Sequence, residues 1–216
     1  DRTPPRWDRV TVALLVANAA GDALNLVTFF GAMERTTVAV AVLTHYLAPI
    51  LVAVAAPYVE RVRVRGASLA ALVATAGLTL ILAPWRPENR TGEVGVGALL
   101  GAVSAVAYAG NVFVVRHLAP RIGAARVMAY HSLLAAAVLL PFAGHELAAV
   151  TREDLALLSL GAVTIGTASG YAFVISLPVI GSARASVLTF FEPAVAVVVG
   201  WLVWGEALGA LALLGG

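Results

Sequence analysis

The sequence predicts an all-α membrane protein, a polytopic bundle of helices that cross a lipid bilayer. Of its 216 residues, 61% are hydrophobic and only 12% are charged, and its mean hydropathy is +0.93. Soluble domains carry roughly 25% charged residues, so this chain has too few charges to cover a soluble surface. The apolar residues also form runs of about twenty residues, with the charges between them, as transmembrane helices require.

The same composition excludes several other classes of protein. The chain has no cysteine, which removes thiol nucleophiles, disulfide frameworks and thiolate metal sites. All fourteen basic residues are arginine, so a lysine Schiff base to retinal is also excluded. A pI of 9.4 would suggest nucleic acid in a soluble protein. Here the arginines flank apolar runs, and we therefore expect a lipid bilayer as partner and no nucleic acid.

Seven apolar runs approach or exceed the ~20 residues that a helix needs to cross ~30 Å of hydrocarbon. They comprise residues 10–33, 36–59, 66–85, 94–115, 127–145, 155–183 and 185–205. The tail, residues 207–216, covers only about half a crossing. We expect seven complete transmembrane helices and a partial one.

Arginine placement predicts the orientation of these helices. If the residues before helix 10–33 are cytoplasmic, ten arginines lie on the inner side and four on the outer side. This bias is the usual one, so we expect a multi-pass protein of a bacterial inner membrane. A signal peptide is the alternative for the first run, which follows Arg2, Arg6 and Arg9. The apolar pattern resumes from Leu24, however, and this favours a membrane helix.

Two parts of the chain repeat one another. Residues 25–54 align with residues 169–198 at a shift of 144, and Pro49 falls on Pro193. In both copies a helix leads through a tight polar turn into a helix with a central proline. The predicted helices cross the membrane five times between the two prolines, and an odd number of crossings inverts the second copy. Inverted repeats are typical of membrane transporters.

The segment YAFVISLPVIGSARASVLTFFEPAVAVVVGWLVWGEAL, residues 171–208, resembles the second repeat of the EamA family in the drug/metabolite transporter superfamily. In that family a short Ser/Ala-rich turn leads to a helix with Glu-Pro and then Gly-Glu. The corresponding residues here are Glu192, Pro193, Gly205 and Glu206.

The first repeat contains the matching segment LAPILVAVAAPYVE, in which Val59 stands where the family usually has glycine before Glu60. The resemblance covers nearly the whole chain and implies ten helices in two inverted halves of five. Residues 1–90 would then be helices three to five, the remainder of the first half. Residues 91–216 would be helices six to nine and the start of ten. Two helices before Asp1 and most of the last helix would lie outside this sequence.

Polar residues inside the apolar runs are the candidate lining of a substrate cavity, because unpaired polar groups are costly in hydrocarbon. Asn18, Asp22 and Asn25 share one helix face. Asp22 and Glu192 lie near mid-span, where an ionised carboxylate costs about 2.5 kcal/mol or more. The predicted cavity residues are Asn18, Asp22, Asn25, His45, Tyr108, Asn111, Tyr171 and Glu192. We expect five of them to converge on one cavity, namely Asp22, Asn25, Tyr108, Asn111 and Glu192.

Helix packing is the alternative explanation for these polar and small residues. Gly97 and Gly101 form a small-xxx-small pair, which usually marks a close helix contact. The asparagines could equally bridge neighbouring helices. His131 is interpreted as a packed or interfacial residue and not as part of the site.

The resemblance implies a membrane transporter and no enzyme. We expect it to export small metabolites, such as amino acids or related organic solutes, by alternating access. Pro49 and Pro193 are the expected hinges, Glu192 is the expected proton-responsive group, and protons are the candidate coupling ion. No cofactor and no metal site is implied. A passive channel or a receptor-like membrane scaffold with a central cavity is the alternative, and the oligomeric state is left open.

Overall fold

The computed structural model describes residues 4–62, 64–141, 144, 149–205 and 209–216. Within these ranges the chain is helical and contains no strand, which confirms the all-α fold class. A 3₁₀ turn, Pro87–Asn89, and a π-helical segment, Ala162–Gly166, supplement the α-helices. The α-helices are α1 (Arg9–Arg35), α2 (Val38–His45), α3 (Ala48–Val59), α4 (Ala67–Leu82), α5 (Val94–Ile122), α6 (Ala124–Leu139), α7 (Arg152–Gly161), α8 (Thr167–Ile180), α9 (Ser182–Leu188), α10 (Phe191–Trp204) and α11 (Ala210–Gly215).

Five helical segments of the described chain are long and apolar enough to cross a bilayer, and the protein is therefore a polytopic helical membrane protein. Their bounds are Arg9–Arg35, Val38–Val59, Val94–Ile122, Arg152–Ile180 and Ser182–Val203. The other two predicted spans contain α4 and α6, which have 16 residues each. At 1.5 Å per residue each of these helices is about 24 Å long. The total of seven crossings therefore stays a prediction.

Glycine and proline place several helix ends where hydropathy alone did not. α4 ends at Leu82 and not at residue 85, because Ala83 adopts a φ of 42° directly before Pro84, and a residue before proline avoids the helical region. Gly181 has a φ of 84° and separates α8 from α9. The boundary predicted at residue 184 is therefore wrong by three residues, nearly one helical turn.

The described residues form two compact units, and α1 and α5 contribute residues to both. The first unit is Asp1–Ala23 with Asn111–Gly181. Its buried apolar cluster draws on α1, α5, α6 and α8 and consists of Leu15, Leu118, Ala119, Ile122, Ala124, Val127 and Val174. Asp8 precedes α1 and accepts a hydrogen bond from the backbone N–H of Thr11 at 2.7 Å. That bond, with the nearby Arg121 guanidinium, holds the pKa of Asp8 below its usual value.

The second unit is Leu24–Gly110 with Ser182–Gly216. In it α3 packs against α9, and α4 packs against α3, α9 and α11. Gly97 and Gly101 of α5 face Thr36 and Thr44, and a Cβ at either glycine would clash with the threonine side chain. Both units contain residues from both predicted halves, so the division at residues 90 and 91 stays a prediction.

Large apolar side chains remain exposed along the segment from α7 to α8. Leu157 is 69% exposed, Ile165 is 76% exposed and Val179 is 81% exposed. Soluble proteins rarely expose contiguous apolar surface on this scale. Such a surface is expected to face the lipid, since apolar side chains in the hydrocarbon core are not exposed to water.

Candidate functional site

Both helices with a central proline are interrupted just before that proline. α2 ends at His45 and α3 starts at Ala48, so that Pro49 lies in the first turn of α3. α9 ends at Leu188 and α10 starts at Phe191, so that Pro193 lies in the first turn of α10. Proline has no N–H to donate but fits the first turn of a helix. Each proline therefore restarts a helix and does not continue one.

The two interruptions have the same local geometry. The N–H of Leu47 bonds to the carbonyl of Thr44 at 3.3 Å, and the N–H of Phe190 bonds to the carbonyl of Val187 at 3.2 Å. Both are three-residue turns in place of the four-residue helical spacing. Tyr46 and Phe190 align under the repeat shift, and their ring centroids are 5.5 Å apart. The two interruptions therefore meet within the second unit.

A pocket of about 230 Å³ lies at this meeting point. α1 and α5 supply its other walls. Four of the eight predicted cavity residues are brought together here, and they lie beside the predicted hinge Pro49. The pocket is lined by Asn25, Leu26, Phe29, His45, Tyr46, Ala48, Pro49, Tyr108, Thr189 and Glu192.

Glu192 supplies the carboxylate of this pocket. It occupies the first turn of α10, where the partial positive charge of the helix N-terminus favours an acidic side chain. The hydroxyl of Tyr46 donates a hydrogen bond to Oε2 of Glu192 at 2.9 Å. The carboxylate of one interrupted helix is thus held by the tyrosine at the interruption of the other.

His45 has its ring orientation fixed by a hydrogen-bond chain. Oγ of Ser104 donates to the carbonyl of Gly101 at 2.7 Å and lies 2.8 Å from Nδ1 of His45. Because the hydroxyl proton is already used, Oγ accepts from Nδ1, and the neutral ring presents Nε2 as an acceptor. The ring also packs against Phe29 and Tyr108, with centroids 4.6 Å and 5.5 Å away.

Asn25 is 8% exposed and lines the same pocket. Its Oδ1 is buried without a hydrogen-bond partner among the residues that the structure describes. The described lining therefore presents a carboxylate, an amide oxygen and an imidazole nitrogen as acceptors, together with three aromatic rings, and it includes no arginine. Chemically, such a pocket favours a solute that donates hydrogen bonds and carries positive charge.

A second polar cluster lies in the first unit. Nε2 of His131 on α6 is 3.3 Å from Oδ2 of Asp22 on α1. Nδ2 of Asn18 is 3.1 Å from Nδ1 of the same ring. Asn18 and Asp22 were predicted from the sequence, but His131 was interpreted as a packing residue. Its contact with Asp22 was missed because the partner helix is distant in sequence and α6 shows no polar stripe of its own.

The remaining predicted cavity residues lie elsewhere in the first unit. Oδ1 of Asn111 would be 2.7 Å from a Cβ added at Gly21, so this side chain rests against the glycine backbone. Tyr171 on α8 is 40% exposed. Glu206, the end of the Gly-Glu motif, lies outside the described residues. Within those residues, no group of three His, Asp or Glu side chains is placed to hold a metal ion.

Interrupted helices around a polar pocket, in a protein with several membrane-spanning helices, define the class of membrane transporters. The EamA-like transporter family matches residues 95–216, which is more than half of the sequence. The chain belongs to this family, and it is a transporter and not an enzyme.

Two curated relatives are named as uncharacterized transporters. The chain is 29% identical to an uncharacterized transporter of Archaeoglobus fulgidus over 213 residues, which are 98% of this chain and 73% of the relative. It is 29% identical to the uncharacterized transporter YcbK of Bacillus subtilis over 154 residues, 68% of this chain and 49% of the relative. The chain is also similar to a protein of known crystal structure, with 23% sequence identity and a TM-score of 0.78. The match covers 99% of this chain and 73% of the other. That likeness shows the fold.

Proposed function

We propose that the protein exports amino acids or related amine-bearing metabolites across a bacterial inner membrane by alternating access. The observation that supports this proposal is the meeting of two interrupted helices at a pocket with a carboxylate. In inverted-repeat transporters, interrupted helices form the substrate site near the bilayer midplane. The equivalent positions of the two interruptions also support the inverted-repeat arrangement of residues 1–90 and 91–216.

The acceptors in the pocket support an amine as the recognised group. An ammonium placed between Glu192 and Asn25 would donate to the carboxylate and to the buried Oδ1 that has no described partner. The rings of Phe29 and Tyr108 would stabilise the same charge through their faces. An anionic solute would instead face an unfavourable carboxylate, and an apolar one would leave the buried acceptors unpaired.

The interruptions also support the hinge roles of Pro49 and Pro193. A three-residue turn followed by a proline lacks part of the helical hydrogen-bond ladder, so the two halves of each helix can change their angle at low cost. Opening would separate Tyr46 from Glu192 and Phe190, and closing would restore their contacts. On this mechanism the Tyr46–Glu192 hydrogen bond belongs to one of the two alternating states.

Transport by the protein in proteoliposomes tests the proposal. Radiolabelled amino acids and primary amines are supplied outside vesicles that carry a proton gradient, and accumulation is followed over time. We expect accumulation above the external concentration for at least one amine-bearing solute. A channel would only equilibrate its solute, and a receptor-like scaffold would bind without moving it; either result overturns the proposal.

A further inference from the structure

The Asp22–His131–Asn18 cluster lies at the depth where charge is most costly. Asp22 is the central residue of the 27-residue α1. Its side chain is 17% exposed and that of His131 is 23% exposed. Asn18 is fully buried. Ionisable groups at this depth are rare, are paired when present, and mark ion or proton pathways in many membrane proteins.

The contacts define which nitrogen of His131 carries the proton. Nδ2 of Asn18 is a donor and lies 3.1 Å from Nδ1 of His131, so Nδ1 accepts and is unprotonated. The proton of the neutral ring is then on Nε2, which faces the carboxylate of Asp22 at 3.3 Å. With Asp22 ionised, the pair carries one negative charge in this state. Nδ1 is the only ring position that can still take up a proton.

We propose that Asp22 and His131 form the exchangeable proton site of the transporter, and that the amide of Asn18 rotates by half a turn when the proton binds. A proton from water adds to Nδ1, while the Nε2 proton stays directed at Asp22. The ring becomes an imidazolium and the pair becomes neutral. Asn18 must then turn its Oδ1 toward Nδ1, because its amide nitrogen cannot accept a hydrogen bond.

The unpaired Oδ1 of Asn18 limits the number of hydrogen bonds that this rotation breaks. Oδ1 of Asn18 is buried and has no hydrogen-bond partner in the described ranges of the chain. One end of the amide therefore bonds His131 while the other end bonds nothing, in either orientation. Rotation exchanges the two ends and breaks no further bond. The protonation state of His131 alone selects the orientation, and the amide can stabilise both states.

Three of the charged and titratable side chains on the packed helices have partners of their own. Arg121 pairs with Asp8 at 3.1 Å, and Arg126 donates to the carbonyl of Ile122 at 3.0 Å. Nδ1 of His117 bonds the carbonyl of Phe113. The other such side chains on α1, α5, α6 and α8 in this unit are Arg9, Arg116, Tyr130 and Tyr171.

The role of the site in transport rests on the proposed function, whereas proton binding does not. We therefore test binding directly by ¹⁵N NMR of histidine-labelled protein in lipid nanodiscs between pH 5 and pH 9. The two ring nitrogens have different shifts when protonated and when bare. His131→Gln identifies the signal of interest by its loss, and His117→Gln is the matched control that leaves it in place.

We expect His131 to show the Nε2–H form at high pH and the imidazolium at low pH. Asp22→Asn removes the anion that stabilises the imidazolium, and should lower the midpoint of this transition by about one pH unit or more. Asn18→Leu should also lower the midpoint, because the hydrogen bond that Oδ1 would accept from the charged imidazolium is stronger than the one that Nδ2 donates to the neutral ring. A His131 ring that keeps one form throughout, or a midpoint unchanged in Asp22→Asn, overturns the proposal. Failure of solute transport with an intact titration would instead count against the proposed function.

Discussion

The environment of Glu192 has three features that could not be predicted together from the sequence. It lies in the first turn of α10, accepts a hydrogen bond from Tyr46 at 2.9 Å and lines the pocket beside Asn25. The tyrosine hydroxyl and the helix N-terminus orient this carboxyl group toward the pocket. The described lining of the pocket includes no arginine that could pair with it.

Glu192→Gln should weaken the affinity for amine-bearing solutes by about tenfold or more, because a hydrogen bond to a charged group contributes about 1.5–3 kcal/mol. The variant should fold normally, since the glutamine oxygen still accepts from Tyr46. Binding isotherms for the solute identified by transport provide the measurement. Tyr46→Phe is the matched control: it keeps the ring and the carboxylate, and should change affinity much less. Equal losses in both variants would show that the carboxylate acts only through the closed Tyr46 contact.

At the residue scale, the position of a polar residue near the middle of an apolar run was enough to predict half of the cavity residues. Asn25, His45, Tyr108 and Glu192 were predicted as cavity residues, and the structure brings them to one pocket; their contact with substrate stays a prediction. Tyr46 and His131 were missed. An aromatic residue or a histidine near an apolar run is compatible with packing, and only the long-range contacts of the fold give these two side chains acidic partners.

The interrupted helices determine the site at the element scale. Hydropathy predicts residues 36–59 and 185–205 as continuous spans, because it does not take account of the N–H that proline lacks. The repeat alignment and the two prolines indicated a bend, but not the three-residue turns that the N–H groups of Leu47 and Phe190 close. The helix ends next to Ala83 and Gly181 could not be predicted from hydropathy either. They depend on backbone conformations with positive φ and on the residue that follows.

Gly101 is required for the close contact between α5 and α2. A Cβ at Gly101 would clash with Oγ1 of Thr44 and lie 3.2 Å from the carbonyl oxygen of Ala41. Gly101→Ala should therefore destabilise the protein by about 1–3 kcal/mol, the usual cost of overpacking. Gly110→Ala on the same helix is the matched control, because a Cβ there meets nothing within 4 Å.

Thermal unfolding of both alanine variants in one detergent measures the difference. Gly110→Ala should unfold at the same or a slightly higher temperature, since alanine is the better helix former. Thr44→Ala combined with Gly101→Ala should recover part of the loss, because it removes the clash with Oγ1 but leaves the Cβ of residue 44 at 2.9 Å and the carbonyl oxygen of Ala41 at 3.2 Å. Equal unfolding temperatures for the two single variants would show that α5 can move away from α2 without cost.

At the scale of the whole molecule, composition and the placement of charges were sufficient to predict the class of protein. They could not determine the number of crossings, because two predicted spans contain helices of only 16 residues. About 24 Å of helix is shorter than the ~30 Å hydrocarbon core. α4 is therefore the helix on which the predicted orientation of the first half depends most directly.

Cysteine labelling decides whether α4 crosses the membrane and in which direction. The chain has no cysteine, so each introduced thiol is the only one present. Val62 precedes α4 and is 51% exposed; Glu88 follows it, with a side chain that is 65% exposed. With a cytoplasmic N-terminus, a membrane-impermeant maleimide should label Glu88→Cys in intact bacterial cells and Val62→Cys only after lysis.

Lysed cells provide the control, since both variants must label there before the result in intact cells has meaning. Labelling of Val62→Cys alone from outside would show the opposite orientation to the one that the arginines predict. The ten arginines expected on the inner side would then lie on the outer side. Labelling of both variants from the same side would remove α4 from the crossings. The two prolines would then be separated by an even number of crossings, and the second repeat would no longer be inverted relative to the first. The predicted pattern instead requires α4 to cross despite its length, which a locally thinner bilayer around a short helix permits.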